Sequence, residues 1–182
     1  MIGRVLGGRF RIIEFIAAGG MGRVYKAVQR PLEREVAIKL MDHAGLNSKR
    51  FQRRFFLEAS LCARLSHPNV VRIFDYGCDD EARYFMAMEY LQGETLSDIC
   101  ARTGPLHPRR AIGLLKQVCS ALIEAHGAGL VHRDLKPSNL FVMTDGLGQE
   151  HLKVLDFGVV KDMSSGAEFT RAGATLGSPL SI

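Results

Sequence analysis

The sequence predicts an α+β fold in two parts, a β-rich first part with one helix and a helix-rich second part. Three observations carry that expectation. Short apolar runs bounded by glycine- and turn-rich segments fill the chain up to Glu89. One long amphipathic repeat dominates the remainder. A short linker, Glu89 to Gly93, lies between them.

In chain order, Arg9 to Ile16 and Val24 to Gln29 are strand candidates flanking a glycine cluster, Gly19-Gly20-Met21-Gly22. Glu35 to Met41 is a third strand, and Val70 to Asp75 and Arg83 to Met88 are two more. Between these, Ser48 or Asn47 caps a helix running to about Leu65, which His67-Pro68-Asn69 breaks. Thr95 with Asp98 forms a capping-box start, and Gly104-Pro105 a stop. From His107 to His126, Ala111, Leu114, Leu115, Val118, Leu122 and Ala125 make one wide buried stripe, ended by Gly127 and Gly129. Strands at Leu140 to Met143 and Leu152 to Leu155 surround the turn Asp145-Gly146-Leu147-Gly148. The tail from Ser164 to Ile182 is small, polar and without a structural pattern.

Composition excludes several classes. A chain of 182 residues, 47% hydrophobic and 24% charged, matches the globular average rather than a disordered or repetitive protein. No apolar run reaches the length of a membrane helix, and no apolar signal stretch follows Met1-Ile2-Gly3-Arg4. Cys62, Cys78, Cys100 and Cys119 are scattered and read as reduced thiols, so the expected location is cytoplasmic. The net charge of +5 gathers in Lys49-Arg50, Arg53-Arg54 and Arg109-Arg110. These pairs fall on helix surfaces without interleaved aromatics or zinc-finger spacing. They read as solvated faces, and no nucleic-acid partner is expected.

The chemistry begins with charges in apolar places. Lys39 interrupts the strand Val36-Ala37-Ile38-Lys39-Leu40-Met41. Glu58 shares a helix stripe with Phe51, Phe55, Cys62 and Leu65. A buried charge without a partner costs several kcal/mol, so each predicts the other as its pair. The glycine cluster joins two strands, and such a loop lets backbone N–H groups approach a phosphate chain. It is neither a P-loop nor a strand-to-helix dinucleotide turn. Val131-His132-Arg133-Asp134-Leu135-Lys136-Pro137-Ser138-Asn139 crowds polar groups into a loop between a helix and a strand. Asp156-Phe157-Gly158 follows a strand end, and Asn139 and Asp156 are hard oxygen donors of the type Mg²⁺ takes.

Lys39 in V-A-I-K, Glu58 in a helix, H-R-D-L-K-P-S-N and D-F-G, in that order behind a Gly-rich loop, resemble the protein kinase signature set. Gly-Gly-Met-Gly-Arg-Val-Tyr and Leu-Ser-His-Pro-Asn-Val-Val resemble the bacterial, eukaryotic-like serine/threonine kinases. The resemblance runs from about Arg9 to about Pro179. It implies a bilobal kinase fold: a lead-in over 1–8, a β-rich N-lobe with one regulatory helix over 9–88, a hinge over 89–93, and a partial helical C-lobe over 94–182.

It also implies an enzyme that transfers the γ-phosphate of Mg·ATP to a protein Ser/Thr hydroxyl. An inactive nucleotide-binding or scaffold fragment is the alternative. By the resemblance, Ile16, Ala17, Ala18, Gly19, Gly20, Met21, Gly22, Arg23 and Val24 form the lid over ATP. Lys39 contacts the α- and β-phosphates and Glu58 orients it. Val24, Ala37 and Phe141 take the adenine ring, Met88 is the gatekeeper, and Glu89-Tyr90-Leu91 the hinge. Asp134 accepts the substrate proton, Lys136 steadies the γ-phosphate, and Asn139 and Asp156 hold Mg²⁺.

Arg133 points to regulation by phosphorylation at Thr170 or Thr175, with Ser164 and Ser165 behind them. Two departures from the pattern stand out. Ala17 replaces the first loop glycine, which implies a stiffer lid. After Gly177-Ser178-Pro179, Leu180-Ser181-Ile182 stands where the family has A-P-E. The expectation is a domain truncated after the activation loop, with an apolar helix face short of cover and lower stability than a complete domain.

Overall fold

The computed structural model describes residues 1–19, 22–41 and 49–157. The chain divides into two compact units, Met1–Arg64 with Arg72–Leu91, and Leu65–Val71 with Gln92–Ile182.

The first unit is an antiparallel sheet of β1 (Val5–Leu6), β2 (Phe10–Gly19), β3 (Gly22–Gln29), β4 (Arg34–Met41), β5 (Ile73–Cys78) and β6 (Tyr84–Glu89), in the order β1-β2-β3-β4-β6-β5. Helix α1 (Lys49–Arg64) completes it. Residues facing each other across an antiparallel ladder share a side, so the register sorts the sheet into two faces. Ile12, Ala27, Val36, Ile38, Ala87 and Phe85 lie on one, and they belong to a core that Leu6 of β1 helps close. Val24, Lys39 and Met86 lie on the other, as do Lys26, Ala37 and Met88. Tyr84 shares that second face, and α1 packs on it through Phe51 and Phe55, whose rings stand 5.2 and 5.1 Å from the Tyr84 ring.

The stripe expected on this helix is present: Phe51, Phe55, Cys62 and Leu65 are buried and Glu58 is half-buried. The caps expected at Asn47 and Ser48 lie outside the described residues. β1 arises from a segment that the sequence marks only as a lead-in. The strand expected over Val70 to Asp75 begins instead at Ile73. Val70 makes an isolated parallel bridge to Val154 in the second unit, where the outer edge of β9 offers backbone groups to pair with.

The second unit holds β7 (Glu94–Thr95), α2 (Leu96–Thr103), α3 (Pro108–Gly127), a 3-10 turn over Pro137–Asn139, β8 (Leu140–Thr144) and β9 (Glu150–Val154). Its sheet runs β7-β8-β9. The Thr95 hydroxyl accepts from the Asp98 N–H and donates to the Asp98 carboxylate at 2.6 Å, so the expected cap forms. Gly104 closes α2 at φ +76°.

On α3 the buried residues are Leu114, Val118, Ala121 and Ala125. Leu115, expected in that stripe, is 55% exposed and lies in a second apolar row with Ile112 and Ile123. Helical geometry gives the reason: Leu114 and Leu115 sit about 100° apart, so a narrow buried stripe takes one and leaves the other outside. Among the described residues, no helix is long and apolar enough to cross a membrane. All four cysteines are free.

Candidate functional site

The first unit positions an apolar half-site around one ammonium. Lys39 is 7% exposed on β4, between Val24 of β3 and Met86 of β6. Ala37 and Met88 are buried beside it, while Val24, Lys26 and Val28 on β3 are only half-buried. The small Ala37 leaves room on this partly open face. Glu58 sits on the helix that covers the β6 end of the same face, and both Lys39 and Glu58 are engaged in interactions.

β2 and β3 meet at Gly19 and Gly22, and the β2 end from Glu14 to Gly19 is exposed throughout. Gly22 admits no side chain: its φ is +141°, and a Cβ there would stand 1.9 Å from the Leu40 carbonyl oxygen. That contact seats the β3 end of the ribbon on β4. Ala17 pairs with Val24 in an exposed stretch, so its methyl meets no packing conflict. Gly20 and Met21 lie outside the described residues.

At the other end of the face, Glu89 N–H donates to the Arg72 carbonyl at 2.9 Å, and the Glu89 carboxylate accepts from the Arg72 N–H at 2.6 Å. The Lys26 ammonium lies 4.5 Å from the centroid of the Tyr90 ring and 2.6 Å from Glu35. Leu91 is half-buried and ends the first unit.

The second unit positions polar groups through a hydrogen-bond lattice. Asp134 is buried, and its Oδ2 lies 3.0 Å from the exposed ammonium of Lys136. The Asp134 N–H donates to the His132 carbonyl at 2.8 Å and to His132 Nδ1 at 3.3 Å. Asn139, also buried, has Nδ2 2.8 Å from the Asp134 carbonyl oxygen and 3.3 Å from its Oδ2. A carbonyl only accepts, so this atom is the amide nitrogen, and the Asn139 Oδ1 is turned the other way.

The Asn139 carbonyl accepts from the Leu155 N–H at 2.8 Å, and His132 Nε2 donates to the Leu155 carbonyl at 2.7 Å. Leu155 is therefore anchored on both sides immediately before Asp156. The His132 ring stacks at 4.9 Å on Phe157. Burial lowers the imidazole pKa from 6.5 against the raising effect of the Leu155 hydrogen bond, so His132 is neutral near pH 7. That agrees with Nδ1 accepting and Nε2 donating.

Arg133 and Asp156 both have positive φ, +59° and +47°. Non-glycine residues seldom adopt that region, and such strain concentrates at functional sites. Phe141 of β8 is half-buried in the same unit.

The donor set fits a hard divalent ion. The freed Asn139 oxygen and the Asp156 carboxylate are both oxygen donors. Mg²⁺ is commonly held by one or two such groups together with substrate phosphates and water. Among the described residues no cluster of three His, Cys, Asp or Glu side chains forms a self-contained metal cage.

Sequence patterns singled out Asp134, Lys136, Asn139 and Asp156, and the first three stand together in one lattice. They missed the anchoring role of His132 and two carboxamides, Asn69 and Gln117, at the edge of β9. Asn69 stood in a segment that reads as a helix breaker and within the phrase Leu-Ser-His-Pro-Asn-Val-Val, neither of which marks its carboxamide as a partner of a strand edge. Arg110, taken as part of a solvated basic pair, is bound by Glu150 at 2.7 Å. Thr170, Thr175, Ser164 and Ser165 lie outside the described residues.

Comparison with known proteins agrees with this arrangement. The protein kinase domain matches residues 10–177. The serine/threonine-protein kinase pkn3 of Myxococcus xanthus is 40% identical over 98% of this chain, which spans 33% of that relative's length. The crystal structure of the Mycobacterium tuberculosis PknI kinase domain superposes with a TM-score of 0.77 at 27% identity, covering 92% of this chain and 69% of that one. Rad53 in complex with AMP-PNP superposes with a TM-score of 0.71 at 30% identity, over 84% of this chain and 39% of its own. The chain belongs to the protein kinase family, alongside the serine/threonine kinases of bacteria.

Proposed function

We propose that this chain carries out ATP- and Mg²⁺-dependent transfer of a phosphoryl group to Ser or Thr hydroxyls of a protein substrate. One observation carries the proposal: a buried carboxylate, Asp134, with the Lys136 ammonium 3.0 Å away. Phosphoryl transfer needs little covalent help and much positioning and charge stabilisation. A carboxylate beside a cation supplies both, one receiving the hydroxyl proton and the other facing phosphate charge.

Residues 9–88, of which Leu65–Val71 belong to the second unit, form the nucleotide lobe. Ile16 to Val24 cover the phosphates, Lys39 binds the α- and β-phosphates, and Glu58 orients it. Val24 and Ala37 take one side of the adenine ring, Met88 lines the recess behind it, and the backbone of Glu89 to Leu91 hydrogen-bonds its edge. Residues 89–93 act as the hinge. In the second unit, over 94–182, Phe141 contributes to the adenine site and Asn139 and Asp156 hold Mg²⁺. When bound, the metal neutralises charge developing on the phosphates. Thr170 and Thr175 are the proposed phosphorylation sites. The activity is proposed to be cytoplasmic, where ATP is available. The AMP-PNP bound to Rad53 supports a nucleotide in this fold.

The test is transfer of labelled γ-phosphate from ATP to Ser/Thr peptides, with Asp134→Asn beside the native chain. The expected outcome is Mg²⁺-dependent labelling that falls about 10³-fold in the variant, the scale of losing a general base. Equal labelling by both proteins would remove Asp134 from the chemistry. Nucleotide binding with no transfer in the native chain would leave a binding protein.

A further inference from the structure

Among the described residues, β9 is the last strand of its sheet, paired along its length with β8 and meeting on its other edge the isolated parallel bridge of Val70 to Val154. An edge strand presents a row of unpaired N–H and C=O groups, and buried ones must find partners. Here side chains supply them. Gln117 of α3 accepts from the Leu152 N–H through Oε1 at 2.8 Å and donates from Nε2 to the Glu150 carbonyl at 3.0 Å. That is the pattern a residue on a parallel neighbouring strand would make, reproduced by one carboxamide.

Asn69 continues the row. Its Nδ2 donates to the Leu152 carbonyl at 2.8 Å and to Gln117 Oε1 at 2.9 Å, and its own carbonyl accepts from the Val154 N–H at 2.8 Å. The Val71 N–H then closes on the Val154 carbonyl at 3.0 Å. From Glu150 to Val154 the outer edge is occupied, and Leu152 is 0% exposed.

β9 runs directly into Leu155 and Asp156. Strand side chains alternate, so a slip of one residue would reverse every side chain and shift Asp156 along the chain path. We propose that Gln117 is a positioning residue for Asp156. With Asn69 it makes the hydrogen bonds of a neighbouring strand and fixes the register of β9, and so sets where the Asp156 carboxylate meets the metal. The role toward metal rests on the phosphoryl-transfer reading above; the clamp itself does not.

The experiment compares the native chain with Gln117→Met, of similar length but without hydrogen bonds, and Gln117→Glu, which keeps the acceptor for Leu152. Two quantities are read. One is amide hydrogen exchange at Leu152, with the β3 amides of the other unit as reference. The other is the Mg²⁺ concentration that gives half the ATP-induced thermal shift, set against the shift in EDTA.

Gln117→Met is expected to speed Leu152 exchange about tenfold, as a buried donor loses its partner. It is also expected to raise the Mg²⁺ midpoint about tenfold, the scale of losing a group that orients a metal ligand. β3 exchange and the metal-free ATP shift stay as they were. Gln117→Glu restores Leu152 protection and brings the Mg²⁺ midpoint back toward the native value.

Native protection of Leu152 in Gln117→Met overturns the clamp. Faster Leu152 exchange with an unmoved midpoint overturns the positioning role, as does a uniform loss of protection that includes β3. A native chain with no Mg²⁺-dependent ATP shift overturns the phosphoryl-transfer reading and the positioning role with it. Leu152 exchange still decides the clamp in that case.

Discussion

The two units hold their functional side chains by different means. In the first, Lys39 is buried on a regular, largely apolar sheet face whose β6 end α1 covers through Phe51 and Phe55. In the second, Asp134 and Asn139 are fixed by a lattice of hydrogen bonds in a loop, with His132 and Leu155 as cross-links. The difference teaches where each site is vulnerable. An apolar face degrades by loss of volume and tolerates changes of pH. A lattice degrades by loss of single donors and is sensitive to protonation.

The largest expected effect breaks the apolar side of the comparison. Phe55 is 0% exposed, and Phe55→Ala should cost about 3–5 kcal/mol, seen as a lower urea midpoint. A loss below about 1 kcal/mol would mean that the face is not held by packing.

Next comes a single donor in the lattice. Asn139→Ala strips the buried Asp134 carbonyl of its side-chain partner and should cost about 1–3 kcal/mol by the same measurement. An unchanged midpoint would place the support of that loop in its backbone alone.

Protonation is a smaller lever with a definite sign. Folded His132 holds its proton more weakly than the unfolded chain, whose imidazole titrates near 6.5. Below that pH unfolding takes up a proton, so stability falls as pH drops through 6.5 and levels off beneath the folded pKa. A His132→Phe variant should show a flatter melting-temperature profile between pH 7 and 5 than the native chain, read by calorimetry at about unit steps.

Asp79 in the β5–β6 turn acts in a separate window. Burial raises its carboxyl pKa, but hydrogen bonds from Arg83 outweigh that and hold it below 3.8. Its contribution is complete above pH 3.8 and is lost only as pH falls through the folded value.

The smallest effect concerns the ribbon. Ala17→Gly, in an exposed strand stretch, should change ATP affinity by no more than a few-fold, about the scale of a glycine's added backbone freedom. Isothermal titration would sharpen whether the missing glycine matters.

The same contrast explains what was legible in the sequence. Lys39 and the Phe51–Phe55–Cys62 stripe were readable because strand and helix periods project burial directly onto residue spacing. The period located α3 correctly but overfilled its stripe with Leu115, since it does not state how wide the buried arc is. In the second unit the polar loop from Val131 to Asn139 and the oxygen donors Asn139 and Asp156 stood out by residue type, but the roles of Asp134 and Lys136 were readable only as a resemblance, because residue type does not say which polar groups meet. Gln117 meets Leu152 across thirty-five positions, and no spacing rule marks a glutamine inside an amphipathic helix as the partner of a strand. Asn69 read as punctuation for the same reason. Its carboxamide acquires meaning only when β9 lies beside it.

The path of the chain carries a practical consequence. It leaves the first unit after Arg64, contributes Leu65–Val71 to the second, and returns at Arg72. Neither unit is therefore a contiguous stretch that ordinary subcloning would isolate. A fragment ending at Leu91 would carry Leu65, Val70 and Val71, all buried in the whole chain, without the β9 edge that Val70 and Val71 pair with. A fragment starting at Gln92 would leave the Val154 end of that edge bare. Dissection would need a permuted gene or both pieces expressed together.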